Sequence, residues 1–197
     1  MSGIVGSKFN IRGSGLVGSL GTDGQHMLSA GPGVSNVFET VAAGGGKFES
    51  KLLHVIDEKA DNNAGGASTT GSYLTRDLNT VVTNEITGAS LASDQISLPA
   101  GTYYIQAAAP GYEGYAIHAK LYNITDTADE LIGHGTGTAG GIGVGGWSFV
   151  NGRFTIADTK VFEIQMRFGA AKVNNGMGLE MWYGLVEHYT WVQIWQM

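Results

Sequence analysis

The amino-acid sequence predicts an all-β protein, a double-sheet sandwich or barrel behind an extended glycine-rich arm. Three observations predict it. No window of adequate length carries an apolar period of 3.6 residues with helix caps. About eight to ten short segments rich in β-branched and aromatic residues are separated by turn signals. Twelve of the 32 glycines fall in residues 1–46, without regular spacing, so the arm differs in kind from the rest of the chain.

Taken in order, residues 1–46 hold single apolar residues between the glycines, and residues 47–197 form the sandwich domain. The arm cannot bury enough of itself to offset its ordering entropy, yet it is too apolar for a solvated tail. The expected reading is an arm that orders on a partner, with Phe9, Ile11, Leu16 and Leu20 as anchors. The alternative is a disordered leader. Ala42 to Gly46 reads as a flexible linker. Phe48 to Ile56 alternates as a strand, with Leu53 and Val55 opposite Leu52, His54 and Ile56. Tyr73–Leu78 and Asn79–Thr83 give a short strand with an adjoining turn, and Ile86–Leu91 is short and weak.

Ile96 to Thr125 is the centre of the pattern, read as two strands that together form one sheet with one apolar face. Leu98-Pro99-Ala100-Gly101 reverses the chain, because proline presets φ and glycine accepts φ > 0. Tyr103, Ile105 and Ala107 then oppose Thr102, Tyr104 and Gln106. Pro110-Gly111 is expected to break the run. Beyond it Ile117, Ala119 and Leu121 oppose His118, Lys120 and Tyr122. Strands at Lys160–Phe168 and Tyr189–Trp195 are expected to cover the apolar face. Between them, Leu131-Ile132 is brief, His134–Gly146 reads as a long glycine-rich loop, Trp147–Ile156 as a strand, Ala170–Gly178 as a turn region and Leu179–Val186 as a strand.

Charge and composition exclude several chemistries. The net charge is −6 with no basic run, which gives non-specific nucleic-acid binding no electrostatic support. Charged residues are only 14% of the chain, a balance typical of proteins that spend surface on subunit contacts. With no cysteine there is no disulfide scaffold, thiolate metal site or cysteine nucleophile. No apolar run reaches the ~20 residues of a membrane helix. The N-terminus shows no secretory apolar region, so the chain is expected to be retained and assembled in a cytoplasm. Gly141 to Gly146 matches G-x-G-x-x-G, but a strand comes next where a dinucleotide site needs a helix. The histidines lack metal-ligand spacing, no local motif pairs two carboxylates, and no serine sits in a Gly-x-Ser-x-Gly elbow. No catalytic, metal or cofactor residue is therefore assigned.

What remains is aromatic. Trp182, Tyr183, Tyr189, Trp191 and Trp195 crowd the C-terminus, and Trp191 and Trp195 oppose Val192 and Ile194 along one strand. One monomer cannot hide both sets, and large exposed aromatics mark partner surfaces. Two partners are open: a copy of the chain around a threefold axis, or a carbohydrate stacked on the rings. Tyr104, His118 and Tyr122, on outward positions of the central strands, join Trp191 and Trp195 as the expected trimer-interface set.

Several of these segments carry a resemblance. SLPAGTYYIQAAAPGYEGYAIHAKLYNITD, VNGRFTIADTKVFEIQMRFGAA and EHYTWVQIWQM resemble the C1q/TNF-like jelly-roll domains at the C-termini of phage virion proteins of the tail-fibre kind. GSYLTRDLNTVVTNEITGASLASDQISLPAGTY resembles the opening half of the same domain. The leader, above all its GTDGQ…LSAG phrase, looks like the glycine-rich N-terminal pieces of small phage structural proteins. The resemblance implies a jelly-roll sandwich of about ten strands, a homotrimer, a place on a virion and no catalytic residues. The only expected partners are the chain itself, a major capsid or tail protein met by residues 1–40, and a host surface glycan. The short lead-in to the domain favours a capsid decoration, head fibre or tail knob over a long fibre. The alternative is a receptor-binding module that takes the glycan through loops 61–71, 134–147 or 170–178.

Overall fold

The computed structural model describes residues 10–11, 15–16, 25–28, 37–40, 51–137 and 143–197. The chain divides into two compact units, Met1–Phe48 and Glu49–Met197. In the first, β1 (Asn10–Ile11) pairs antiparallel with β2 (Gly15–Leu16), and β3 (Gln25–Leu28) with β4 (Val37–Thr40). Of the expected anchors, Phe9 and Leu20 lie outside the described residues, and Ile11 and Leu16 are placed only as members of β1 and β2. The linker at 42–46 also lies outside them.

The second unit is built from β5 (Lys51–Lys59), β6 (Tyr73–Thr75), β7 (Thr80–Asn84), β8 (Ser90–Ala92), β9 (Gln95–Leu98), β10 (Gly101–Tyr112), β11 (Ala116–Asn123), β12 (Ala128–Gly137), β13 (Gly145–Ile156), β14 (Lys160–Phe168) and β15 (Glu187–Gln196). One sheet has the order β13-β10-β15-β5-β7, and the other β12-β11-β14-β9-β8 with β6 also on β14. All pairings between these strands are antiparallel. From β9 onward the path alternates between sheets, with only β11 and β12 consecutive in one of them. That winding is a jelly roll.

The core lies between the sheets. Leu53, Val55, Tyr103, Ile105, Val150, Val192 and Ile194 face Ile96, Leu98, Ile117, Leu121, Phe162, Ile164 and Met166, all fully buried or nearly so. Burying each such side chain stabilises the fold by roughly 1.5–3 kcal/mol. Tyr103 stacks on Phe154 with centroids 5.5 Å apart, and its hydroxyl donates to the Pro99 carbonyl at 2.7 Å.

Four expectations from sequence are corrected. First, β10 and β11 do not share a sheet. β10 lies between β13 and β15, whereas β11 lies between β12 and β14. The crossover at Glu113–Tyr115 holds both residues at positive φ, 49° and 59°.

Second, Pro110 does not end β10. The strand runs to Tyr112, and Pro110 pairs with Trp147. The reason is an open edge. The Met197 amide donates to the Thr102 carbonyl, so even-numbered residues of β10 turn their backbone groups toward β15. Pairing with β15 stops at Ala108, so a missing N–H at Pro110 breaks no ladder bond.

Third, the glycine-rich loop is shorter than expected, because β12 extends to Gly137 and β13 starts at Gly145. Glycine is needed inside β12: a Cβ at Gly133 would lie 2.5 Å from the Phe149 carbonyl oxygen and 2.6 Å from that of Ala119. There the sheet edges close on each other. The Ser148 hydroxyl bridges them, accepting from the Ala119 amide at 2.8 Å and donating to the His134 carbonyl at 2.6 Å.

Fourth, Leu179–Val186 is a loop and not a strand. Trp182 and Gly184 hold φ of 59° and 73°, outside the extended region of a regular strand.

Candidate functional site

Alternation along β10, β13, β15 and β5 sends one set of side chains to the core and the other to the outer face of the five-stranded sheet. Cross-strand register groups the outer set into rows. The first row is Arg153–Tyr104–Trp195–Leu52. The second is Asn151–Gln106–Gln193–His54. The third is Phe149–Ala108–Trp191–Ile56. An amide row thus runs between two rows carrying aromatics. Four strands about 4.8 Å apart and three rows make a face of about 15 Å by 15 Å. Tyr104 is 37% exposed and Phe149 42%. The Tyr104 and Trp195 rings meet at 6.3 Å with a tilt of 41°. Across all three rows the charge-bearing groups are Arg153 and His54. Burial, and secondarily His188, lowers the His54 pKa from its usual 6.5, so the imidazole tends toward neutrality. A charge-poor aromatic face of this composition resembles the core of a protein interface.

The five residues expected to form one interface are divided by the structure. Tyr104, Trp191 and Trp195 come together on this face. His118 and Tyr122 lie on the outer face of the other sheet, a consequence of the crossover after β10. There they serve their own chain. His118 Nε2 donates to the Gly133 carbonyl at 3.0 Å, which can only accept, and Nδ1 lies 3.2 Å from the Tyr73 hydroxyl. The Lys120 ammonium sits over the Tyr73 ring at 4.0 Å and the Tyr122 ring at 4.8 Å, and also pairs with Asp129. Sequence reasoning missed Phe149, Gln106, Gln193 and Asn151 as members of the aromatic–amide face. The signal that finds them is the pairing of β13 and β15 on β10, which no single strand records.

At the end of the same sheet where β13 begins and β10 ends, a cleft of about 380 Å³ opens. It is lined by Pro110, Gly111 and Tyr112 from β10, by Gly143 and Gly145–Trp147, and by Gly178, Leu179, Met181, Glu187, His188 and Tyr189. Two of the three loops expected to bind glycan reach it, through 143–147 and Gly178; residues 138–142 lie outside the described set, and no residue of 61–71 lines it. Glu187 is buried and accepts from the Met181 amide at 2.8 Å. Tyr189 donates to the Asn63 carbonyl at 2.9 Å; burial and the carboxylates of Glu187, Glu180 and Asp57 raise its pKa far above the usual phenol value. Beside the cleft, Trp182 and Tyr183 project at 69% and 78% exposure, while the Gly184 amide donates to Asp61 at 3.1 Å and fixes the loop.

Behind the cleft, Arg76 is wholly buried. Its Nε donates to the Thr190 hydroxyl at 2.8 Å and one Nη to the Met177 carbonyl at 2.6 Å. Burial pulls its pKa down to about 10, opposed by Asp57 and Asp77. Asp57 is also buried, which raises its pKa, and Lys59 lies 3.2 Å from it. Arg76 thus ties β15 to the 176–178 turn, and Lys59 ties β5 to Asp77, as structural support. Among the described residues no group of three or more His, Asp or Glu side chains is arranged to hold a metal ion.

No protein-family model matches the chain, and no curated protein matches it significantly. Solved structures do. Murine APRIL at pH 8.0 aligns at 9% identity over 76% of this chain and 100% of its own, with a TM-score of 0.49. The globular domain of zebrafish complement 1qA protein aligns at 11% identity over 76% and 98%, again at 0.49. Eiger TNF from S. frugiperda aligns at 8% identity over 75% and 92%, also at 0.49. These are C1q/TNF-like jelly-roll domains, and the likeness concerns fold and not a phage origin. The jelly-roll assignment itself rests on the strand order and register given above.

Proposed function

We propose that this chain is a structural surface protein of a phage virion. In this reading it is a homotrimeric appendage whose jelly-roll domain self-associates and whose residues 1–40 dock on a capsid or tail protein. The virion assignment is supported by the sequence resemblance of the leader and of the three C-terminal segments. Self-association is supported by one observation above others: the aromatic–amide face of β10, β13, β15 and β5, with Tyr104, Phe149, Trp191 and Trp195 about a charge-poor centre. A face of about 15 Å by 15 Å is smaller than the ~800 Å² per partner of a stable interface, so it serves as the interface core with a rim around it. Around a threefold axis each contact is heterologous, so the face meets a different surface of the next copy. The test is the solution mass by sedimentation equilibrium. A trimer is expected for the full chain, and a folded monomer for Tyr104→Ser/Trp195→Ser. A monodisperse monomer of the unaltered chain sinks the proposal.

A second reading, recognition of a host glycan, is favoured by the cleft beside Trp147. It is compatible with the first, since a virion appendage can carry a receptor site.

A further inference from the structure

The cleft between β10, the start of β13 and the 178–189 segment has a chemistry more specific than its shape. Its volume of about 380 Å³ falls in the range of small-ligand sites, about 300–1,000 Å³. Trp147, 42% exposed, and Tyr112 give it aromatic surface. Glycine makes much of the rest, at 111, 143, 145, 146 and 178; at Gly111 a Cβ would point into the core, 2.7 Å from the Ile117 side chain. At Gly143 a Cβ would meet nothing within 4 Å, and φ there is +86°, so the opening is not choked at that wall. At Gly178 a Cβ would lie 2.1 Å from the Tyr189 ring, so glycine is what lets this turn pack on that ring.

The ionisable groups select the ligand. Among the described residues no lysine or arginine lines the cleft, whereas Glu187 does. Its carboxylate is buried and anchored through Oε1 on the Met181 amide. An anionic ligand at the lining meets the Glu187 carboxylate and, among the described residues there, no lysine or arginine to offset it. His188 at the cleft wall has its Nε2 engaged at 3.0 Å by Glu58, whose own charge is negative, so it offers no free cation either. Aromatic rings suit the C–H face of a pyranose, and a fixed carboxylate accepts hydroxyl hydrogens in charge-assisted bonds.

We propose that this cleft binds a neutral saccharide unit, with Trp147 and Tyr112 against the sugar ring and Glu187 accepting its hydroxyls. The inference rests on the reading that the domain recognises glycan and gives it a place and a charge class. These residues set the sugar's charge class and no more: sialylated, uronic or phosphorylated sugars are the wrong partners.

The test uses the full chain and saturation-transfer NMR with three panels: neutral oligosaccharides, sialylated or uronic ones, and cationic amino sugars. Binding of neutral sugars is expected. Trp147→Ala and Tyr112→Ala are each expected to weaken it by about tenfold or more. Trp182→Ala, outside the cleft lining, leaves it unchanged. Circular dichroism and solution mass verify that each variant keeps its fold and assembly, and Trp147→Phe serves if Trp147→Ala does not, with partial loss expected. Binding of neutral sugar that survives both cleft variants overturns the placement while leaving glycan recognition standing. A preference for acidic or cationic sugars overturns the charge class. Failure of every panel overturns the inference and the glycan reading together.

Discussion

His54 shows how one residue links the face to solution conditions. It lies on the outer face of β5 in the amide row, beside Gln193. Burial, then the nearby His188, holds its folded pKa below the unfolded 6.5. The unfolded chain therefore binds the proton more readily. The stabilising contribution is fully present above about pH 6.5 and is lost as pH falls through 6.5 toward the folded value. Urea midpoints taken from pH 7.5 down to pH 5 should fall less steeply for His54→Gln than for the unaltered chain. Equal slopes for the two proteins would remove His54 from the account. The residue was visible in sequence as a strand position opposite Leu53 and Val55. Its neighbours Gln193 and His188 were not, because both come from a strand more than 130 residues later.

Among the elements, β10 is the most informative. Both of its neighbours, β13 and β15, contribute aromatics to the outer face. Its register with β13 runs unbroken from Gly101–Ile156 to Tyr112–Gly145. Its pairing with β15 covers only Tyr103–Ala108. Proline therefore has opposite consequences at two positions of the same parity. Pro110→Ala should change stability by no more than about 1 kcal/mol, since no ladder bond is gained or lost. Gln106→Pro should cost about 3 kcal/mol or more, because residue 106 directs its N–H toward β15. Chemical denaturation of both variants decides; comparable losses would mean the backbone polarity of β10 is assigned the wrong way. The same element explains a failure of local reading. Pro110-Gly111 is ordinarily a strand stop, and only the absent partner beyond Ala108 makes it a continuation.

For the whole molecule, the two units Met1–Phe48 and Glu49–Met197 frame the functional proposal. If residues 1–40 dock the protein, deleting them should leave a folded trimer that fails to join particles. Co-purification with particles, compared between full and shortened chains, measures this; normal incorporation of the shortened chain would refute the docking role. Each sheet's outer face now has a distinct character. The six-stranded sheet spends His118, Tyr122, Tyr73 and Lys120 on contacts within the chain. The five-stranded sheet leaves Tyr104, Phe149 and Trp147 exposed.

From sequence alone came the class of fold, the division into arm and domain as an expectation, and the inward sets Tyr103/Ile105/Ala107, Ile117/Ala119/Leu121 and Val192/Ile194. These were legible because strand alternation has a period of two and is a local property. Tertiary structure decided everything that depends on which strand lies beside which. It separated β10 from β11, and so Tyr104 from His118 and Tyr122. It joined Phe149, Gln106 and Gln193 into one face, turned 179–186 from a strand into an apolar loop, and opened the cleft at Trp147. The physical reason is that sheet membership is set by closure of the core between two layers, and a crossover of a few residues at Glu113–Tyr115 reverses which surface a side chain meets without changing the local pattern.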